Sequence, residues 1–245
     1  MSTHVTELVR PDGRCLVRCA GGWTLDAAAE AAQLADRRRA PAVAHVDERA
    51  TVELAALTDA GFTVARRDAH VVFEIEQALL ALGEASAPDG VSITSAAHID
   101  EERLRLLDDE LRQDVPGSSG WRSTPEEFRE HTFADPAFDA RTYLVAVDSG
   151  TDELVGLVRI WMNPEGPRLG MIAVKLGYRR RGIALALLEQ ALRAVHESGA
   201  TDVTTEYDLT NAGSRALFER TGARTVRTVL ELVHEPRVRE ASRVR

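Results

Sequence analysis

The sequence predicts an α+β protein in two parts, of which the second and larger contains a mixed, mostly antiparallel sheet flanked by helices. Three observations support this prediction. An apolar segment of strand length, a tight loop and a segment with helical spacing of apolar residues follow one another over residues 171–190. Segments of strand and helix length alternate over residues 91–234. A shorter version of the same order occupies residues 24–76, which predicts a smaller α/β half-domain ahead of the main one.

Composition and charge limit the classes of protein to which the chain can belong. The 245 residues are 44% hydrophobic and 28% charged, as in ordinary globular proteins, and carry a formal net charge of −9. Nucleic-acid backbones are bound by basic faces, so a general nucleic-acid binder is not expected. No apolar run approaches the roughly 20 residues that span a bilayer, and Met1–Pro11 lacks the apolar core of a signal peptide. We therefore predict a cytoplasmic protein, monomeric or homodimeric, with no membrane or nucleic-acid partner.

The two cysteines do not indicate a disulfide framework or a metal site. Cys15 and Cys19 are too few for the first and have no neighbouring metal-ligating residues for the second. We interpret them as packing thiols in a strand and predict no metal site.

The first part is predicted to cover residues 1–83 and to end at a linker over residues 84–90. The linker sequence E-A-S-A-P-D-G is small and polar and contains proline, as is typical of connections between domains. Thr24 is a typical N-cap and Gly61 a typical helix end. The predicted elements are strands at 15–19, 42–46 and 70–75 and helices at 25–39 and 51–60.

The second part is predicted to cover residues 91–234 and to precede a charged tail over residues 235–245. Its predicted order is β-α-α-β-β-β-α-β-α-β, with two short polar connections that are compatible with antiparallel hairpins. The strands are expected at 91–94, 143–147, 154–162, 168–174, 203–207 and 228–234, and the helices at 99–113, 125–132, 182–198 and between 211 and 222.

The loop after Val174 has the features of an anion-binding site. Three consecutive arginines, Arg179 to Arg181, precede Gly182, where the next helix begins. The first N–H groups of a helix have no intrahelical partner, and both the helix end and the guanidinium groups favour phosphate oxygens. The loop lacks the G-x-x-x-x-G-K-S/T pattern of ATP-binding P-loops and the G-x-G-x-x-G pattern of dinucleotide-binding folds. The sequence therefore predicts a phosphate-bearing ligand of another class.

Two segments resemble conserved blocks of the GCN5-related N-acetyltransferases (GNAT). Arg179-Arg180-Arg181-Gly182-Ile183-Ala184 matches Q/R-x-x-G-x-G/A, the loop that binds the pyrophosphate of coenzyme A in that family. The segment Glu206–Ala223 is similar to the last conserved block, with Asn211, Phe218 and Gly222 at the positions of the family's asparagine, aromatic residue and glycine.

A shift of 161 positions aligns the first part with this last block. Gly61 then falls on Gly222, but Ala50 falls on Asn211, and no arginine-rich loop precedes the first helix. We therefore interpret residues 1–83 as a degenerate GNAT-like half-domain and not as a second coenzyme site.

The resemblance implies an acyl-CoA-dependent N-acetyltransferase that uses acetyl-CoA as co-substrate and no metal. Its acceptor would be a primary amine of a small molecule or peptide, which attacks the thioester directly. In the family, the strand before the arginine loop diverges from its neighbour, and its free backbone groups pair with the pantetheine arm. The residues that the resemblance assigns to acetyl-CoA are Ile172, Ala173, Val174, Arg179, Arg180, Arg181, Gly182, Ile183, Ala184, Asn211 and Phe218.

Glu206 is the residue that the resemblance assigns to catalysis. Some members that acetylate protein N-terminal amines carry a glutamate here as general base, usually acting through water. Strand alternation places Glu206 opposite Val203 and Tyr207, and an ordinary solvated glutamate is the alternative. The family often has tyrosine at the position of Phe218, and phenylalanine cannot donate a proton. The sequence therefore leaves the proton donor to the leaving thiolate open, as either water or another tyrosine.

Trp121 and Phe128 are the predicted substrate residues. They lie in the loop and helix that form the acceptor side of the cleft in GCN5-like enzymes, and packing between helices is the alternative for each. The rival function for the whole chain is a catalytically silent CoA-binding or protein-interaction module. The phenylalanine at position 218 and the degenerate first part favour that rival.

Overall fold

The structure is a computed structural model that describes residues 4–237, so residues 238–245 of the predicted tail lie outside the described residues. The strands are β1 (His4–Val9), β2 (Cys15–Ala20), β3 (Ala42–Asp47), β4 (Thr63–Glu74), β5 (Val91–Ser95), β6 (Tyr143–Asp148), β7 (Leu154–Asn163), β8 (Gly166–Val174), β9 (Asp202–Asp208) and β10 (Arg224–His234). The helices are α1 (Leu25–Arg38), α2 (Thr51–Asp59), α3 (Ile75–Leu82), α4 (Glu101–Arg112), α5 (Pro125–Glu130), α6 (Ile183–Glu197) and α7 (Ala212–Arg220).

The predicted order of elements after residue 90 is confirmed, from β5 through α4, α5, β6, β7, β8, α6, β9 and α7 to β10. The sequence analysis missed β1 and α3 and began β4 seven residues too late. Most side chains of β1 are exposed, so this edge strand lacks the alternation of a half-buried strand. Helix α3 begins immediately after β4, and its N-cap residue Glu74 makes no capping hydrogen bond, so no start signal was available.

The chain folds into two compact units that are interleaved in sequence. Of the described residues, the first contains 4–69 and 227–237, and the second contains 70–226. This division differs from the predicted boundaries at residues 83 and 91. Phe73, Ile75 and Leu82 are buried in the core of the second unit, so the chain before the predicted linker already packs there.

The last strand shows the same interleaving. Leu230 and Leu232 of β10 are buried in the core of the first unit, with Ala42 and Ala44 of β3. The prediction assigned these residues to the second part because they follow α7 in sequence. Their pairing partner is instead β3, to which β10 is antiparallel.

Element bounds repeat at the offset found in the sequence. Helix α2 begins at Thr51 and α7 at Ala212, while β4 begins at Thr63 and β10 at Arg224, so each pair is separated by 161 positions. The strand that follows α2 ends in the second unit, and the strand that follows α7 ends in the first.

In the first unit the strand order is β1-β2-β3-β10-β4. Strands β2 and β3 are parallel, and the pairs β1/β2 and β3/β10 are antiparallel. Helix α1 packs through Ala28, Ala31 and Ala35, which are fully buried. Such small side chains allow a helix to approach its neighbours closely, which explains why this alanine-rich segment forms the core of the unit.

A buried carboxylate on β10 holds a cluster of basic side chains in the first unit. The side chain of Glu231 is 3% exposed, and its oxygens lie 3.1 Å from Arg66 Nη2, 3.3 Å from His45 Nε2 and 3.4 Å from Arg14 Nη1. Burial by itself would raise the pKa of Glu231, but the hydrogen bond to His45 and the attraction of Arg66 and Arg14 outweigh it and lower the pKa to about 2. The carboxylate is therefore bound in its charged form.

We expect Glu231→Gln to lower the free energy of unfolding by about 3 kcal/mol at neutral pH. The pKa falls from 4.5 to about 2, each pKa unit is worth about 1.4 kcal/mol, and breaking a buried ion pair costs a similar amount. Because the folded-state pKa is depressed, this stability is present above pH 4.5 and is lost as the pH falls towards 2. Urea unfolding at several pH values measures it, and the difference between wild type and variant should shrink over that interval.

The matched control is Glu7→Gln, which removes an exposed ion pair with Arg38 in the same unit. Exposed pairs contribute less than about 1 kcal/mol, so this variant should unfold close to wild type. Equal effects of the two substitutions would contradict a stabilising role for the Glu231 cluster.

In the second unit the strand order is β4-β9-β8-β7-β6-β5, with helices on both faces. Helices α3, α6 and α7 pack on one face, which we call the α6 face, around Leu187, Leu188 and Phe218. Helices α4 and α5 pack on the other, the α4 face, around Leu104 and Leu107. Most neighbouring strands with a recorded register are antiparallel, and β8 and β9 are parallel. The predicted α+β class with a mixed sheet is confirmed.

Candidate active site

Strands β8 and β9 pair only briefly. Within the part of the chain that the structure describes, their register contains one Cα pair, Arg168 with Thr204, and the hydroxyl of Thr205 donates to the carbonyl of Leu169 at 2.9 Å. From Met171 onwards no pair with β9 is recorded, so the two strands separate there, as the resemblance implied. A gap between two strands exposes backbone groups that can pair with an extended ligand.

The direction of these backbone groups follows from strand alternation. Lys175 N–H donates to the carbonyl of Val155 on β7 at 2.8 Å. Because N–H and C=O of alternate residues point to the same side of a strand, Ala173 also faces β7, whereas Ile172 and Val174 face the gap. Of the three residues predicted to pair with pantetheine, the geometry therefore favours Ile172 and Val174 over Ala173.

A β-bulge interrupts β7 and β8 immediately before the gap. The register shifts between Arg159 and Ile160, so that Gly170 on β8 has no direct partner. A Cβ atom at Gly170 would lie 2.8 Å from Nε1 of Trp161, so any other residue would require the ring of Trp161 to shift. Bulges redirect the strand and its side chains, and this one bends β8 where it leaves β9.

The loop after β8 presents uncapped helix N–H groups. Gly182 is the N-cap of the 15-residue helix α6, has φ of 88° and has no side chain to cap the helix. The first turn of α6 contains no acidic residue. Arg180 has φ of 60°, in the left-handed region that is uncommon outside glycine. Left-handed residues next to a helix start turn successive N–H groups towards one point and form an anion-binding concavity.

The three arginines of this loop have different surroundings. Arg179 is tied back, since its Nε donates to the carbonyl of Val174 at 2.8 Å and its Nη2 to Asp114 at 2.6 Å. The guanidinium of Arg181 lies over the ring of Tyr178, with Cζ 5.3 Å from the ring centroid. Arg180 is exposed and makes no hydrogen bond or ion pair with any residue between 4 and 237. Arg179 therefore anchors the loop, and Arg180 is available to a ligand.

Strand β9 places Glu206 on the α4 face. Glu206 Oε1 accepts a hydrogen bond from Arg168 Nη2 on β8, and Oε2 has no partner among residues 4–237. Val203 and Tyr207 pack against the core of the α6 face, as alternation predicts. Both members of the Arg168–Glu206 pair are partly exposed. The free oxygen of Glu206 can accept a proton from an amine or a water molecule.

Asn211 caps helix α7. Its side-chain oxygen accepts a hydrogen bond from Ser214 N–H at 3.1 Å, which is the ordinary role of an N-cap asparagine. Its side-chain amide group has no partner among the described residues and is what this residue can offer to a ligand. Only the NH2 group of the Asn211 side chain is therefore left for the predicted contact with acetyl-CoA.

Phe218 lies in the core of the α6 face, 3% exposed, with its ring centroid 5.4 Å from that of Tyr207 and 6.3 Å from that of Phe73. Of the chain's three tyrosines, Tyr143 is fully buried, and burial raises its pKa. The hydrogen bond from Tyr178 to Asp148 raises the pKa of Tyr178. Because Tyr143 is buried in the core and the hydroxyl of Tyr178 is bonded to Asp148, Tyr207 and water are the remaining candidates to protonate a leaving thiolate.

The two predicted substrate residues differ in their surroundings. Phe128 is 4% exposed and packs edge-on against Phe133 in the core of the α4 face, which favours the packing alternative. Trp121 is half-buried in the loop after α4, and the guanidinium of Arg112 lies over its ring at 5.5 Å. Trp121 therefore remains a candidate substrate residue at the edge of the α4 face.

The turn of the first unit that corresponds to the arginine loop is closed by a carboxylate. Gly21, which the 161-residue offset aligns with Gly182, has φ of 91°. Glu53 Oε2 accepts a hydrogen bond from Trp23 N–H at 3.0 Å, and its carboxyl group lies 3.5 Å from the Cβ position of Gly22. A carboxylate here repels phosphate. This supports the interpretation of the first part as degenerate.

The sequence analysis missed three residues of the α4 face. Arg159 and Trp161 on β7 and Arg168 on β8 lie around the bulge, and Arg168 pairs with Glu206. A signal was present for the first, because Arg159 is the one charge within the apolar segment L-V-G-L-V-R-I-W-M. Charged residues are rarely buried without a partner or a function.

Between residues 4 and 237, no group of three or more His, Cys, Asp or Glu side chains could hold a metal ion. Over the same range, the helices are too short or too polar to cross a bilayer.

A sequence model of the acetyltransferase (GNAT) family matches residues 105–223. N-alpha-acetyltransferase MAK3 of Arabidopsis thaliana is 43% identical over 54 residues, which are 22% of this chain and 28% of the plant protein. The chain therefore matches less than a third of the length of that curated relative.

Solved structures agree with this match. A GCN5-related N-acetyltransferase from Sphaerobacter thermophilus is similar with a TM-score of 0.75 and 18% identity, over 95% of this chain and 76% of that one. A tandem GNAT protein from the clavulanic acid biosynthesis pathway is similar with a TM-score of 0.68 and 17% identity, over 92% and 75%. Identities this low bear on the fold alone, and they confirm the predicted fold.

Proposed function

Because residues 105–223 match the acetyltransferase (GNAT) family, we propose that the chain transfers an acetyl group from acetyl-CoA to a primary amine. The acceptor is a small molecule or a peptide. The observation that carries the proposal is the open N-terminus of α6, with Arg180 beside it, directly after a strand that separates from its neighbour.

The residues at the gap fit acetyl-CoA. The N–H groups at the start of α6 and the guanidinium of Arg180 suit the pyrophosphate, because hydrogen bonds to charged groups contribute about 1.5 to 3 kcal/mol each. The backbone of Ile172 and the N–H of Val174 face the gap and suit the amides of the pantetheine arm, while the carbonyl of Val174 already accepts from Arg179. Arg179 holds the loop in place through Val174 and Asp114.

The chemistry requires no covalent intermediate on the enzyme, because a thioester is already activated. Backbone N–H groups in the gap stabilise the charge that develops on the thioester oxygen. Glu206 accepts a proton from the amine, directly or through water, by way of its free oxygen. Water or Tyr207 protonates the thiolate that leaves.

Release of free thiol from acetyl-CoA tests this function. The purified chain is incubated with acetyl-CoA and a panel of amines that includes amino acids, dipeptides, polyamines and aminoglycosides. We expect thiol release that depends on the amine and exceeds the rate of the Glu206→Gln variant. Tight binding of acetyl-CoA without turnover on the whole panel would favour the silent CoA-binding module instead.

We expect Arg180→Gln to weaken acetyl-CoA binding about tenfold and to reduce the dependence of the affinity on salt. The reason is the loss of one charge-assisted contact, worth about 1.4 kcal/mol for a factor of ten. Calorimetric titration with acetyl-CoA at two salt concentrations measures both effects. Arg193→Gln is the control, because Arg193 lies on α6, the helix that follows Arg180, and pairs with Glu189. An unchanged affinity of Arg180→Gln would remove this residue from the binding site.

The cellular location and the assembly of the chain belong to the same proposal. We place the enzyme in the cytoplasm as a monomer or homodimer, on the sequence arguments given above.

A further inference from the structure

We infer that the acceptor carries a carboxylate in addition to its amine, and that Arg159 binds this carboxylate at the bulge on the α4 face. The inference rests on the proposed function and names its class of acceptor. It depends on the surroundings of Arg159, on its place beside the gap and on the charges around it.

Arg159 is a buried cation with an incomplete set of partners. The residue is 7% exposed, and its hydrogen bond to Asp108 joins Nη1 and Oδ1 at 3.4 Å. Asp108 is held more closely by Arg112, at 2.7 and 3.2 Å. Nε of Arg159 is buried and has no hydrogen-bond partner among residues 4–237. Two guanidinium groups thus share one carboxylate, which leaves a surplus positive charge.

Two aromatic rings hold the guanidinium of Arg159 in place. Its Cζ atom lies 4.8 Å from the ring centroid of Trp161 and 5.6 Å from that of Tyr143. Cation–π contacts of this kind use the flat face of a guanidinium group. Of the groups along its edge, Nη1 bonds to Asp108 and the buried Nε has no partner among residues 4–237. The planar arrangement of Nε and Nη2 matches the two oxygens of a carboxylate.

Arg159 lies close to the strand segment at which the thioester is proposed to bind. It pairs across the sheet with Met171, the residue before Ile172, whose backbone faces the gap. The neighbouring Trp161 is half-buried, and its indole N–H makes no hydrogen bond within the described range, while Gly170 beside it is exposed. A ligand can therefore approach the bulge at Trp161 and Gly170, where the buried guanidinium of Arg159 lies against the ring of Trp161.

Two other arginines on this face already have carboxylate partners of their own. Arg168 pairs with Glu206, and Arg105 pairs with Asp109 and Glu102. An acceptor with an amine near Glu206 and a carboxylate near Arg159 would complement both groups. A polyamine or an aminoglycoside would place further positive charge beside a buried guanidinium, at a cost in electrostatic energy.

The test compares amino acids and dipeptides with their own carboxamides. Each pair is titrated into the CoA-saturated chain by calorimetry, and kcat/KM is measured by thiol release. We expect the free acid of at least one pair to bind ten times more tightly than its amide, and to react with a higher kcat/KM. Arg159→Gln should reduce this ratio to less than twofold, and Arg159→Lys, which keeps the charge and loses the planar group, should give an intermediate ratio.

Arg105→Gln is the matched control, because Arg105 is an arginine of α4 whose carboxylate partners are its own neighbours on the helix. It should keep the preference for the free acid. Thermal melting and acetyl-CoA affinity are measured for every variant. If Arg159→Gln does not fold, the wild-type ratio and the lysine variant decide the question.

A wild-type chain that binds acids and amides equally overturns the inference, whether or not it releases thiol. Thiol release with amines that lack a carboxylate, at rates equal to those of the acids, has the same consequence and leaves the proposed acetyl transfer intact. A chain that does not bind acetyl-CoA refutes the proposed function instead. In that case the same pairs are titrated into the chain without coenzyme, and the ratio of the two affinities shows whether Arg159 selects a carboxylate.

Discussion

Gly182→Val is expected to lower the affinity for acetyl-CoA at least a hundredfold. Gly182 has φ of 88°, where a β-branched residue is strained, and a Cβ atom there would point into open space at the start of α6. That space is where the pyrophosphate is proposed to lie. The loss of two hydrogen bonds to a charged group would cost about 3 kcal/mol, which corresponds to a factor of more than a hundred. Calorimetric titration with acetyl-CoA measures it.

The control for backbone strain is Gly199→Val, directly after α6. Gly199 has φ of 89° and also has open space at its Cβ position, so the strain is matched. Because no helix N-terminus lies there, Gly199→Val should reduce stability and leave the affinity for acetyl-CoA unchanged. Normal binding by Gly182→Val would show that the loop from Arg179 to Ala184 is not the coenzyme site.

Glu206→Gln is expected to lower kcat about a hundredfold without changing the affinity for acetyl-CoA. General bases typically contribute factors of 10² to 10⁴. Glutamine can still accept the hydrogen bond from Arg168, so the strands should keep their positions, while the group that takes up a proton is lost. Single-turnover thiol release at saturating acetyl-CoA measures the chemical step.

Asp202→Asn is the matched control on the same strand. Asp202 is exposed at the start of β9 and bonds to the hydroxyl of Thr201. This variant should turn over as wild type does. If Glu206→Gln also retains full turnover, Glu206 serves only as the partner of Arg168 and is not the base.

The order of elements and the loop were predictable because their signals are local. The spacing of Ile183, Leu187 and Leu188 indicated α6, and Gly182 marked its start. Alternation along β9 placed Glu206 on the face opposite Val203 and Tyr207, as the structure has it. The individual roles of Arg179 and Arg180 were not predictable, because they depend on Asp114, which is 65 positions away from Arg179.

The sequence by itself determined the class of the fold, the order of its elements and the loop at which a phosphate can bind, since periodicity, turn residues and helix starts are properties of neighbouring residues. Only the tertiary structure decided in which unit β4 and β10 each end. Two similar strands can pair with either partner, and the local sequence pattern does not distinguish the partners. The tertiary structure also decided that Arg159 is buried between two rings with a shared carboxylate. Burial and partnership arise from residues far apart in the chain, and that is why a single arginine in an apolar strand could be noticed in the sequence but not interpreted.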